Sequence, residues 1–256
     1  MKSLELSQYI LTNSVVPNSI YYVPDFIDTE QEQFLISNVL NAPKPKWTFL
    51  GNRSLQNWGG FPHPKGMVVE ALPSWLKTYT EMVGNLDLFD GNTPNHVLMN
   101  CYHAGQGIMA HEDGPLFYPT VTTINTGSHT VLNFYSKPDD DQIRKYCFSL
   151  LLMPRSLLVL KHEAYTKYLH EIEELTFDKI NLSYNFYDGG QIFQDFKYIA
   201  NLDRIPLEQI QSKTNVDIER KSGEGIISLT RQVRYSFTIR YVPKVMNLNI
   251  KKLFVK

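Results

Sequence analysis

The stretch that decides the fold is NHVLMNCYHAGQGIMAHED, residues 95–113. Its first part, Val97 to Tyr102, is apolar and β-prone and reads as a strand. Alternation along that strand puts Leu98, Asn100 and Tyr102 on one face. The glycines at 105 and 107 then mark a turn. The segment ends on His111-Glu112-Asp113. In an extended chain His111 and Asp113 share a face and Glu112 points the other way.

Strand-like runs continue downstream at Thr130 to Tyr135, Tyr146 to Met153, Ser156 to His162 and Arg231 to Val242. Upstream, the pattern is helical. Thr29 and Glu32 have capping-box spacing, Phe34, Leu35, Ile36, Val39 and Leu40 supply an apolar face, and Pro43 and Pro45 end the segment. A second helix is predicted from Pro73 to about Val83. Between them, residues 47–67 hold Trp47, Trp58, Gly59, Gly60, Pro62 and Pro64 and read as a loop or hairpin region. The predicted fold is mainly β with flanking α-helices, a sandwich or jelly roll. A single domain over 1–256 is expected, with 187–225 as an insertion.

Composition narrows the function classes. With 43% hydrophobic and 20% charged residues in 256, the chain is not of a disordered type. Lys plus Arg total 25 and Asp plus Glu 26, so the net charge of -1 argues against a polybasic mode of nucleic-acid binding. Two cysteines, Cys101 and Cys147, cannot build a disulfide framework or a multi-cysteine zinc site. No secretory leader is visible, and the longest apolar run, Phe148 to Leu160, is broken by Pro154 and Arg155. The expectation is a soluble, intracellular monomer, cytoplasmic and nuclear, without a membrane partner.

An imidazole and a carboxylate spaced like His111 and Asp113 can take adjacent positions on one metal. Two histidines and one carboxylate leave the opposite positions open, as in non-haem Fe(II) oxygenases. Taken alone, the tripeptide fits a surface ion pair better than a ligand pair. A third ligand must come from farther along the chain, and His129, His162 and His170 are the candidates. His170 lies two strand-like segments away, enough chain to cross a sandwich and return. His129 reads as a turn residue, and His162 ends a strand. For His96 and His103 a hydrogen-bonded or exposed histidine is expected rather than a ligand.

The run Arg234 to Arg240 places Arg234, Ser236, Thr238 and Arg240 on one strand face and Tyr235, Phe237 and Ile239 on the other. The apolar set reads as core. Two guanidiniums on the polar face suit a dicarboxylate, and a solvated edge strand is the competing reading. Asn100 and Tyr102 can also donate to a carboxylate.

Taken in order, Asn100-x-Tyr102, His111-x-Asp113, a distal His170 and Arg234-x5-Arg240 resemble the AlkB family of Fe(II)- and 2-oxoglutarate-dependent dioxygenases. The resemblance covers about 20–170 and then 231–243; nothing aligns over 187–225. It implies a double-stranded β-helix and His111, Asp113 and His170 as iron ligands. It further implies 2-oxoglutarate held by Arg234 with Asn100, Tyr102 and Arg240, O2 as co-substrate, and a substrate lid at 47–67. The implied activity is oxidative demethylation of an alkylated base in DNA or RNA. In the lid, Trp47, Trp58, Phe61 and His63 would stack a base, or the two tryptophans would pack the core; Lys44, Lys46 and Lys65 would approach phosphate. The alternatives are the same chemistry on a protein side chain, or a binding module that keeps only the fold.

Overall fold

In the computed structural model, which describes residues 4–138, 144–182, 197–213, 215–217 and 225–246, the strand-rich sequence forms two facing sheets. The N-terminal part carries β1 (Ile20–Val23), α1 (Thr29–Leu40), β2 (Trp47–Leu50), β3 (Arg53–Trp58), β4 (Gly60–Phe61), β5 (Met67–Val69) and α2 (Ser74–Gly84). Then follow β6 (His96–Tyr102), β7 (Ile108–His111), β8 (Thr120–Thr126), β9 (Thr130–Ser136), β10 (Tyr146–Leu152), β11 (Leu157–Lys161), α3 (His162–Thr166) and β12 (Tyr168–Ile172). The remainder is β13 (Phe177–Asn181), α4 (Leu207–Lys213), β14 (Asn215–Asp217), β15 (Ile226–Thr230), β16 (Arg234–Arg240) and β17 (Val245–Met246).

The larger sheet runs β1-β11-β8-β16-β6-β3-β2 and the smaller β10-β9-β12-β7. Strands β6, β8, β11 and β16 lie in the first, and β7, β9, β10 and β12 in the second. That alternation is the winding of a jelly roll, as the sequence predicts. β13, β15 and β14 form a separate small sheet, as do β17, β5 and β4.

Side-chain alternation divides the larger sheet into two working faces. Val97, Met99 and Cys101 of β6, with Tyr235, Phe237 and Ile239 of β16, pack against α1 and α2 through Leu35, Val39, Leu76 and Val83. Burying each such side chain contributes roughly 1.5–3 kcal/mol. The opposite face, with Asn100, Tyr102, Arg234 and Arg240, looks toward the smaller sheet. Register fixes who meets whom: Tyr102 stands opposite Arg234, and His96 opposite Arg240.

Several expectations shift in detail. The capping box of α1 lies one residue earlier than predicted. Asp28 accepts from Gln31 N at 2.8 Å, and Gln31 Oε1 accepts from Asp28 N at 3.0 Å. The offset frees Glu32, which is buried and accepts from Gly127 N and Arg155. Residues 47–67 are mostly strand, and the β2–β3 hairpin extends the larger sheet at its edge. Gly59 and Gly60 end that extension at φ +90° and +131°, where a Cβ would stand 2.1 Å from the carbonyl oxygens of Asn95 and Val68. The run ending at His162 stops at Lys161, and His162 turns into α3 at φ +46°. Within the expected insertion, residues 187–196, 214 and 218–224 lie outside the described residues. Among the described residues no helix is long and apolar enough to cross a membrane.

Candidate active site

Between the two sheets lies a cavity of about 180 Å³. Among its lining residues are His111, Asp113 and His170 at one part, and Asn100, Tyr102 and Arg234 at another. All seven residues singled out for chemistry in the sequence, Arg240 included, line this one space.

β7 carries His111 and β12 carries His170, and the two are direct cross-strand partners. Their ring centroids are 4.3 Å apart. Asp113 lies just past the end of β7, with Oδ2 3.8 Å from His170 Nε2. Its Oδ1 is ion-paired with Arg240. The His111 Nδ1 atom lies 2.9 Å from the Met109 carbonyl, which leaves Nε2 as the free nitrogen. Of the other candidates, His129 is buried with Nε2 3.2 Å from Asp178, and His162 is exposed on the first turn of α3. His170 is the one brought to His111 and Asp113.

The electrostatics suit ligation. Burial pushes His170 down to about 4, helped by neighbouring His111 and Arg240. Burial lowers His111 as well. Both imidazoles are therefore neutral near pH 7, the form that binds a metal. Burial acts to raise the Asp113 carboxyl, but Arg240, His170 and His111 outweigh it and hold it below the ordinary range. Asp113 is ionised. Among the described residues no three acidic, histidine or cysteine side chains stand as placed in a set that could hold a metal, and Asp113 is ion-paired with Arg240. The donor set itself, two neutral imidazoles and one carboxylate on one side of a cavity, fits a non-haem Fe(II) ion.

Arg234 is 4% exposed. Its Nη2 donates to Asn125 Oδ1 at 2.6 Å, while Nε and Nη1 have no partner. The Tyr102 ring lies 5.5 Å below the guanidinium carbon. Burial pulls Arg234 down to about 10, which still leaves it charged. A buried cation with two idle donors is costly unless an anion joins it. A carboxylate fits that fork bidentately. Arg234 and Arg240 do not stand side by side: five residues of strand lie between them, a rise of roughly 20 Å.

No protein-family model matches the chain. It is 42% identical over 254 residues to the "Probable RNA/DNA demethylase ALKBH6" of Danio rerio, across 96% of this chain and 94% of that protein. The chain belongs to the AlkB family. It is also 26% identical over 194 residues to the "tRNA (carboxymethyluridine(34)-5-O)-methyltransferase ALKBH8" of Macaca fascicularis, covering 70% of this chain but 28% of that protein. Of solved structures, that of OsALKBH1 superposes with a TM-score of 0.47 at 12% identity, over 87% of this chain and 97% of that one. A 2OG-Fe(II) oxygenase-family oxidoreductase from Burkholderia pseudomallei does so at 0.48 and 8% identity, over 89% of each.

Membership makes this AlkB-family protein an oxidoreductase, a dioxygenase whose cofactors are Fe(II) and 2-oxoglutarate. The residues present fit both groups: the His–Asp–His set fits the metal, and the idle donors of Arg234 fit the carboxylate of the keto acid.

Two functional side chains escaped the sequence reading. Arg53 on β3 lines the cavity and donates from Nε to Asn100 Oδ1 at 3.2 Å. Asn125 on β8 holds Arg234 and is itself fixed by Ser156. Arg53 sits beside Ser54 in an ordinary hairpin sequence, and Asn125 sits in a threonine-rich strand, so neither carries a motif. The aromatic choice between base stacking and core packing is also resolved. Trp47 and Trp58 pack against the helix–sheet core, Trp58 at 5.5 Å from Trp75. Lys46 is engaged by Glu70 at 2.6 Å and by the Trp58 ring at 4.3 Å. Phe49, Phe61 and His63 are exposed rings of the region, and Lys44 and Lys65 are exposed cations.

Proposed function

We propose that this protein removes N-methyl groups oxidatively from alkylated bases of DNA or RNA. His111, Asp113 and His170 bind Fe(II), and Asn100, Tyr102 and Arg234 surround 2-oxoglutarate. The observation that carries the reading is the buried Arg234 with two unpaired donors, in the same cavity as the His–Asp–His set. The nucleic-acid substrate rests on the relative described as a probable RNA/DNA demethylase. Exposed Phe49 and Phe61 offer apolar rings for stacking, and Lys44 and Lys65 offer charge for phosphate. Action as a monomer in cytoplasm and nucleus completes the proposal.

When bound, iron with the keto acid and O2 as oxidant would supply the hydroxylation of a substrate C–H bond, one oxygen atom entering that bond and the other entering succinate as 2-oxoglutarate loses carbon dioxide. This chain's residues do the rest. The two neutral imidazoles and Asp113 would hold the metal at the cavity wall. Arg234 would anchor a carboxylate of the keto acid through its two idle donors. Arg240 neutralises the Asp113 oxygen it contacts and keeps that carboxylate from swinging. Leu98, Leu132, Leu158 and Ile172 line the cavity with apolar surface that excludes water. A hydroxylated N-methyl group then leaves as formaldehyde.

The test is turnover across methylated DNA, methylated RNA and methylated peptides, read by succinate and formaldehyde together. The proposal expects formaldehyde from a nucleic acid, with binding that weakens as salt rises. Formaldehyde from peptides alone would replace it with the protein-directed reading.

A further inference from the structure

His96 belongs to no ligand set and does not line the cavity, yet it stands directly across the ladder from Arg240, which does. It opens β6 on the cavity-facing side, in step with Leu98, Asn100 and Tyr102. It is 1% exposed, and both ring nitrogens lack a partner. The sequence leads one to expect a hydrogen-bonded or exposed histidine there, and it is neither. Directly across the ladder stands Arg240, whose Nε is also buried and unpartnered. Phe117 closes the group, its ring centroid 5.7 Å from that of His96 and 4.4 Å from the Arg240 guanidinium carbon. Behind them, the Gly59 turn that ends the β2–β3 extension approaches the backbone of Asn95 and His96 so closely that a Cβ at 59 would not fit.

Native interiors leave few polar atoms unmatched, and each one costs free energy unless something joins it. Here three belong to two cross-strand neighbours, His96 and Arg240, with Phe117 against both, and Arg240 is ion-paired with Asp113. Burial, with Arg240 adding to it, keeps the imidazole uncharged, so one nitrogen donates and the other accepts. The two ring nitrogens point apart, so one of them can meet a donor or an acceptor on the hydrogen-bonding edge of a nucleobase, and an aromatic face is what stacks on the base.

We propose that His96, Phe117 and Arg240 form the base-reading end of the substrate pocket. His96 pairs with the edge of the methylated base, and Phe117 packs against the base's face. The inference rests on the nucleic-acid reading above and names the residues that would carry its specificity. It requires Arg240 or Phe117 to shift by enough to admit the base edge to His96.

The experiment uses the full chain loaded with Mn(II) and 2-oxoglutarate. The probe is a short single-stranded oligonucleotide carrying one N-methylated adenine, with its unmodified twin, and the readout is fluorescence anisotropy. Wild type is expected to prefer the methylated strand. His96→Phe, which keeps a ring and removes both nitrogens, is expected to lose at least about ten-fold of that preference. His96→Asn, which keeps a donor and an acceptor, is expected to retain it within about three-fold. Affinities for Mn(II) and 2-oxoglutarate should not move in either variant, and the melting temperature of His96→Phe should not fall, because an unmatched buried polar group has been removed. Wild-type discrimination by both variants would overturn the inference, as would an equal loss of cofactor affinity, which would assign His96 to holding Arg240. Should wild type itself bind both strands alike, the nucleic-acid reading fails and this inference fails with it.

Discussion

His111 and His170 face each other across the β7–β12 ladder with ring centroids 4.3 Å apart. One ladder register therefore delivers two of the three proposed metal ligands. Removing either imidazole leaves one histidine and Asp113. His111→Ala and His170→Ala should each weaken Mn(II) binding by more than about 100-fold and abolish succinate formation. Calorimetric titration with Mn(II) checks this. Metal affinity like that of wild type in either variant would remove that residue from the ligand set.

Arg234 has two idle donors in a dry site, so its partner carboxylate should bind through strong, charge-assisted bonds. Arg234→Ala is expected to raise the 2-oxoglutarate dissociation constant by about 10- to 150-fold. Mn(II) affinity should stay as in wild type. Arg234→Lys keeps the charge but loses the fork and should fall between the two. Titration of 2-oxoglutarate into the Mn(II)-loaded protein measures it.

Asn125 touches Arg234 at 2.6 Å and is locked from behind by the Ser156 hydroxyl at 3.1 Å. It acts as a positioning residue. Asn125→Asp keeps the shape and places a negative charge against Arg234. It should weaken 2-oxoglutarate binding by about ten-fold, with metal affinity unchanged. An unaltered 2-oxoglutarate affinity would show that Arg234 needs no such support.

Asp178 ties the small β13–β15 sheet to the jelly roll through Arg231, whose Nε and Nη2 each donate at 2.7 Å. Burial acts to raise this carboxyl, but Arg231 and His129 hold it at about 2. The folded value lies below the unfolded one, so between them the unfolded chain binds more protons. Stability therefore falls as pH drops from about 4 toward 2, by about 2 kcal/mol from this group. Chemical denaturation at stepped pH should show that slope in wild type and lose it in Asp178→Asn. The variant should also be less stable at neutral pH, because Arg231 is left buried without its counter-ion.

The β-rich second half was legible in the sequence because alternation leaves a direct trace: β16 separates Tyr235, Phe237 and Ile239 from Arg234 and Arg240 residue by residue. The ligand set was legible through spacing and family resemblance. What escaped depends on tertiary neighbours. β12 and β8 are short or threonine-rich and read poorly alone, although β12 delivers His170. Arg53 and Asn125 became visible only when their strands were paired with β6 and β16. The α1 cap was misplaced by one residue because Asp28/Gln31 and Thr29/Glu32 share the same spacing, and only the burial of Glu32 separates them. The net charge of -1 says little about the site, where Arg53, Arg234 and Arg240 gather in one cavity.

The central claim is that this cavity couples decomposition of 2-oxoglutarate to removal of a methyl group from a base. The direct measurement is the yield of succinate and formaldehyde from purified protein with Fe(II), ascorbate, 2-oxoglutarate and N-methylated oligonucleotide. The account predicts succinate that depends on Fe(II), is lost in His111→Ala, and is matched about one-to-one by formaldehyde on the productive strand. No succinate from wild type, together with no metal-dependent binding of 2-oxoglutarate, would contradict it.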